Sequence, residues 1–254
     1  MTHGHGAHPV TMAVLVAVAL VAAGYLVLAL RERRGARGWG LGRIAAFLAG
    51  CALLVAALTG PVAALAATDF RGHMLQYLLI GMLAPLGLAL GAPITLLLRT
   101  LPPAHGRRIT ALLRLRVLQV LSSPGMALVF TVGSLVLLYC TPLYGVLAGN
   151  PLLHVHVLLA GYLFAYVIAG PDPAPHRPSV PTRLVVLGVF VAVHLTLSQL
   201  MYAGAGLYVP APPEQLHGAG EIMRYGGNVA ELLLVLALVI GWRPSSGRRA
   251  VHRG

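Results

Sequence analysis

No lysine occurs in this chain, acidic residues number six, and 9% of its 254 residues carry a charge. A soluble globule needs far more polar surface than that, and it is excluded here, where 58% of residues are hydrophobic and mean hydropathy is +0.84. With lipid as the main solvent, every backbone polar group must be satisfied within the chain, which leaves helices or a closed barrel. Alternating apolar segments of about ten residues, the barrel signature, are absent, while continuous apolar runs of about 20 recur. The expected fold is all-α, a polytopic membrane bundle of about seven transmembrane helices.

Other absences narrow the reading further. Cys51 and Cys140 are the two cysteines, each inside an apolar run. The expected topology puts Cys140 near the outer surface and Cys51 nearer mid-membrane, which argues against a disulfide. No basic stretch precedes the first apolar run; its arginines follow it. That run therefore reads as an uncleaved helix with its N-terminus outside, not as a signal peptide. No nucleophile–base constellation and no phosphate-binding loop appears, so no enzymatic turnover is expected.

Net charge is +12 with a pI near 10.8, and all 18 basic residues are arginine. Nucleic-acid binding would require basic residues interleaved with aromatics on one surface. The arginines instead fall in clusters between apolar runs, around Arg31–Arg43, Arg99–Arg116, Arg177/Arg183 and Arg243–Arg253. Clusters bracketing every second run follow the positive-inside rule and set the C-terminus in the cytoplasm. No nucleic-acid partner is implied.

Along the chain, a His-rich outer tail (1–9) precedes the membrane domain (10–242), and an Arg-rich cytoplasmic tail (243–254) follows. Helices are expected near Val10–Leu30, Leu41–Leu58, Arg71–Leu98, Pro124–Cys140, Leu152–Gly170, Arg183–Ala203 and Met223–Trp242. Pro85 and Pro93 should bend the third. The 99–116 stretch reads as a cytoplasmic loop with some amphipathic helix, and GPDPAPHRPSVPTR as a rigid cytoplasmic loop. GAGLYVPAPPEQLHGAG reads as an outer loop.

This topology sorts the ligand-type side chains by side. His73, His154, His156 and His217 fall at the outer surface, as do His3, His5 and His8 of the tail, while His105, His176 and His252 are cytoplasmic. Met74, Met201 and Met223 sit at outer helix ends. Imidazole and thioether together select Cu(I), or Cu(II) where His dominates. Against this stands the plain reading, in which Met fills packing gaps and interfacial His reaches to water. Residues two apart on a helix point about 200° apart, so His154 and His156 cannot both face one ion in regular helix. His73 and Tyr77 do share a face. The tail sequence HGHGAH suits weak capture of Cu(II) or Zn(II) through His3, His5 and His8, or is a solvated tail.

Two ionisable groups are expected deep in the bilayer. His194 lies roughly 16 Å from the inner end of its helix and Glu231 roughly 12 Å from the outer end of the next. Such groups are costly in lipid and are usually paired, so they should approach each other, either as a polar site or as a structural clamp. Arg71 and Arg224 begin descending helices against the local dipole, with Asp69 and Glu221 nearby to neutralise them.

Three stretches carry a family likeness: HMLQYLLIGMLAPLGLALGAPITLLLR from His73, HVHVLLAGYLFAYVIAGPDPAPHRPSVPTR from His154, and LHGAGEIMRYGGNVAELLL from Leu216. On them the chain resembles the CtaG family of cytochrome c oxidase assembly proteins, over most of its length after about residue 40. It departs from the family pattern at Tyr77, where a second His is frequent, and at Asn228, where an acid is common. The resemblance implies a non-catalytic, multi-pass plasma-membrane protein that holds Cu(I) on the extracytoplasmic side and delivers it to the copper site of a haem–copper oxidase. His73, Met74, His154, His156, Met201 and Met223 are the candidate ligands, with His194 and Glu231 as an inner polar site or support. Expected partners are the oxidase subunit carrying that copper site, an outer-side copper chaperone and the lipid bilayer. Two other functions stay open: a copper transporter or resistance permease, and a haem-binding membrane protein with His73 and His154 as axial ligands.

Overall fold

The computed structural model describes residues 9–35, 38–173 and 177–241; the tail residues His3, His5 and His8 lie outside them. Among the described residues every regular element is helical. Six helices are long and apolar enough to cross a membrane: Met12–Arg33, Leu41–Leu58, Phe70–Thr100, Pro151–Ile168, Val180–Ala203 and Pro213–Gly241. The seventh expected helix is the shorter apolar Pro124–Cys140. At 1.5 Å per residue it spans roughly 26 Å, just under a hydrocarbon core of about 30 Å.

The segments are labelled here in chain order. The first two are α1 (Pro9–Arg33) and α2 (Leu41–Leu58), followed by the short α3 (Gly60–Ala66). The third span is composite: α4 (Phe70–Leu78), a π-helical turn (Leu79–Leu83), α5 (Ala84–Leu90) and α6 (Pro93–Thr100). Its two irregularities have proline causes. Pro85 has no N–H and its ring would strike the carbonyl four residues back, Gly81, so the helix widens into a π turn there. A Cβ at Gly161 would stand 1.9 Å from the Gly81 carbonyl oxygen, so only glycine admits the widened turn. Pro93 opens α6 after Ala92, which takes the left-handed conformation at φ 52°.

Next come α7 (Pro103–Leu113) and α8 (Arg116–Leu121), the helical content expected of the arginine-rich stretch. The Pro124–Cys140 span comprises α9 (Pro124–Leu128), a second π turn (Val129–Gly133) and α10 (Ser134–Cys140). After the short α11 (Leu143–Leu147) come α12 (Pro151–Ile168), α13 (Val180–Ala203) and α14 (Pro213–Gly241).

The last helix corrects the expected boundary. HGAG, read as outer loop, is helical, because α14 begins ten residues before Met223. Pro213 suits the first turn and Glu214 complements the helix dipole, while the glycines that suggested a loop are contact surfaces. A Cβ at Gly218 would meet Arg71 Cδ at 2.7 Å, and one at Gly226 would meet Leu78 Cδ1 at 2.6 Å. On the α13 side, a Cβ at Gly220 would stand 2.6 Å from Tyr202 N. Small residues let helix backbones approach in lipid, where no hydrophobic force drives them together.

The arginine-rich end is held by a clasp between distant segments. Asp172, 1% exposed, accepts from Ile94 N (3.1 Å), Thr95 N (2.7 Å) and Thr95 Oγ1 (2.6 Å), capping α6 from another loop. Tyr25 donates to the Gly91 carbonyl (2.7 Å) and receives the Trp39 indole N–H (3.2 Å). Arg177 donates to the Gly170 and Asp172 carbonyls.

Candidate functional site

At the opposite end of the bundle from that clasp, Asp69 caps α4 by accepting from Arg71 N (2.8 Å). The Arg71 guanidinium also pairs with this carboxylate and holds it below the usual carboxylate range. Arg224 has no such partner among the described residues; its guanidinium lies 5.8 Å from the Tyr225 ring centre. The expected neutralisation therefore forms at Arg71 and not through Glu221.

One turn into α4, His73 faces an aromatic wall. Its Nε2 lies 3.3 Å from the Tyr139 hydroxyl, its ring stacks on Phe70 at 5.6 Å, and Tyr144 meets it edge-on at 5.1 Å. Gln76, one turn further, donates to the Ala57 carbonyl at 2.7 Å, which turns its Oε1 toward His154 Nε2 at 3.1 Å. That oxygen only accepts, so His154 carries its proton on Nε2 and its Nδ1 lone pair is left over. His156 points elsewhere. Its Nε2 lies 2.6 Å from Ser134 Oγ, whose own proton is committed to the Phe130 carbonyl. His154 and His156 thus engage different helices, as their spacing requires.

The three methionines lie at one level of the bundle. Gly218 abuts Arg71 and Gly226 abuts Leu78, so α4 and α14 run parallel and Met74 stands level with Glu221 and Ile222, next to Met223. Gly220 abuts Ser198 and Tyr202 while Gly227 abuts His194, so α13 is antiparallel and Met201 is level with the turn at Gly220. The thioethers therefore fall within about one 5.4 Å turn of each other in depth. Met74, Met201 and Met223 are each 0% exposed.

Below that level, His194 Nδ1 and Glu231 Oε1 stand 3.0 Å apart, the approach expected from their depths. His194 is 0% and Glu231 5% exposed. Neither His194 nitrogen nor Glu231 Oε1 makes an aligned hydrogen bond. Phe190 stacks on the imidazole at 5.5 Å, and a Cβ at Gly227 would lie 2.1 Å from its Cε1. On the α14 face Met223, Gly227 and Glu231 follow at four-residue spacing, and on α13 His194 and Met201 are seven apart.

No three His, Cys, Asp or Glu side chains converge on a common point among the described residues. His73, His154 and His156 are instead spread over three hydrogen-bond partners, Tyr139, Gln76 and Ser134, while His217 lies against the Tyr202 ring. Sequence reasoning overlooked Gln76 and the tyrosine wall. Gln76 was visible in HMLQY, one turn after His73, whereas Tyr139 and Tyr144 come from a distant segment.

Comparison with known proteins then adds a family. The family described as cytochrome c oxidase caa3 assembly factor (Caa3_CtaG) matches residues 23–245. Uncharacterized proteins of Mycobacterium bovis and Mycobacterium tuberculosis are each 32% identical over 254 residues, covering 90% of this chain and 38% of their own length. One from Mycobacterium leprae is 29% identical over 252 residues, with the same coverage of 90% and 38%. The chain thus spans well under half the length of these curated relatives. No solved structure matches.

Proposed function

The chain belongs to the cytochrome c oxidase caa3 assembly factor family, and from that membership we propose that it holds Cu(I) near the histidine-bearing end of the bundle and passes it to a haem–copper oxidase. Copper is cargo in this reading, and the role is non-catalytic. The single observation that carries it is the level of three fully buried thioethers on α4, α13 and α14, at the bundle end where His73 and His154 lie.

The chemistry suits transfer. Thioether and imidazole are soft to borderline donors of low charge, so they accept a monovalent ion without burying a net anion. Gln76 holds the His154 Nε2 proton, which presents Nδ1 to an arriving ion. A ligand set without thiolate releases its ion to a competing site more readily than a closed cysteine cage does. The positive-inside argument sets this end outside the plasma membrane, the side from which an outer chaperone would load it and the oxidase subunit receive it.

The direct test is Cu(I) per chain, measured by chelator competition on detergent-purified protein under reducing conditions. Wild type should bind about one ion. His73→Ala/His154→Ala and Met74→Leu/Met201→Leu/Met223→Leu should each weaken binding at least tenfold. No binding by wild type, or binding by either variant as tight as wild type, refutes this ligand set. An oxidase assembled normally in cells that express only the variants would refute the delivery role.

A further inference from the structure

A groove opens on the lipid-facing side of α12, with a volume of about 450 Å³, well within the range of ligand sites. Its walls are Leu159 and Leu163 of α12, Phe130 at the second π turn, and Leu113, Leu118 and Leu121 of α7 and α8. From His156 to Tyr166 it follows ten residues of helix, roughly 15 Å. Aliphatic and aromatic side chains form most of that lining, which suits an acyl chain.

The segment that closes its arginine-rich end has an unbalanced charge. Arg107, Arg108, Arg114 and Arg116 are exposed, and no acidic residue occurs between Arg99 and Pro171. None of the four stands within ion-pair distance of a carboxylate among the described residues. Interleaved with them are Leu112 (55% exposed), Val117 (69%) and Val120 (54%). Basic and apolar residues exposed together on short helices belong at the boundary between headgroups and acyl chains.

We propose that this groove is a binding site for an anionic phospholipid, with one acyl chain between α7, α8, the second π turn and α12 and the headgroup phosphate on Arg114 and Arg116. The unpartnered arginines select the headgroup charge, and the apolar walls accept an acyl chain. At its far end the groove meets His156, whose Nε2 is already engaged with Ser134 Oγ, so that end asks for no polar ligand group. The site is separate from the thioether level and holds whether or not the chain carries copper.

The test places an indole in the groove wall by Leu159→Trp, at a position 61% exposed. The full chain is reconstituted in mixed phosphatidylglycerol–phosphatidylcholine vesicles with one lipid brominated at a time. Quenching is read after subtracting the parent chain's signal. Brominated phosphatidylglycerol should quench the introduced indole as though enriched roughly thirtyfold over phosphatidylcholine, the scale expected of two surface arginines at about 1 kcal/mol each. Adding Arg114→Gln/Arg116→Gln should return that ratio to about one. Equal quenching by the two lipids with the arginines intact would mean an apolar face wetted by bulk lipid, and would overturn the proposal. So would quenching by neither, or a preference that survives loss of both arginines.

Discussion

Gly227→Ala tests the packing that sets His194 against Glu231. The added Cβ would stand 2.1 Å from His194 Cε1, 2.8 Å from Nδ1 and 3.2 Å from Nε2. His194 is fully buried and stacked on Phe190, so its ring has no free space to retreat into. Overpacking of this kind costs typically 1–3 kcal/mol. Displacing the imidazole also weakens a buried polar pair, whose outright loss costs about 3–5 kcal/mol. Replacing glycine by alanine in a helix returns up to about 1 kcal/mol. The balance is a loss of about 2 kcal/mol, or roughly 4–8 °C in Tm for a domain of this size. Gly188→Ala on α13 is the control, because a Cβ there meets nothing within 4 Å. Thermal unfolding in detergent is followed with a thiol-reactive dye, since Cys51 is 5% exposed and reacts on unfolding. A Gly227→Ala melting point equal to or above that of Gly188→Ala would refute the argument.

Three further outcomes are expected. His194→Leu or Glu231→Leu alone should destabilise by about 3 kcal/mol or more, and the double variant by clearly less, in the same melting assay; strict additivity would show the pair uncoupled. Asp172→Ala removes three accepted hydrogen bonds from the start of α6 and should cost about 2–4 kcal/mol, with faster proteolysis between Pro171 and Ser179; an unchanged melt would show that Pro93 alone fixes α6. Gln76→Leu leaves the Ala57 carbonyl and His154 Nε2 without partners, costs about 1–3 kcal/mol, and should weaken Cu(I) binding in the chelator assay; unaltered affinity would remove His154 from the ligand set.

Much of this molecule was legible from one dimension. Composition required helices in lipid, because no barrel pattern and no soluble surface exist in the sequence. Proline positions located the breaks in the third span, since a missing N–H acts within one turn of chain. The depths of His194 and Glu231 followed from counting 1.5 Å per residue, and the pair meets at 3.0 Å. The opposed directions of His154 and His156 followed from helix periodicity. Where local rules misled, glycine was the reason. HGAG has the composition of a loop, but Gly218 and Gly220 are the surfaces on which α4 and α13 approach α14, and that role is visible only once the neighbours are in place.

By itself, then, the chain determined its solvent, its helices, its kinks and the depth of its ionisable groups, all set by local backbone chemistry and transfer free energy. Tertiary structure alone decided the fine register of the helices and which hydrogen-bond partner each histidine takes. It set Met74, Met201 and Met223 within about one turn of depth through the register of three helices, and it divided His73, His154 and His156 among Tyr139, Gln76 and Ser134. It also turned Asp172 onto the start of α6, 77 residues away from Thr95 in sequence. Register and partner depend on close backbone approach at glycines such as Gly161 and Gly220, and that approach is a property of pairs of helices, which no single segment encodes.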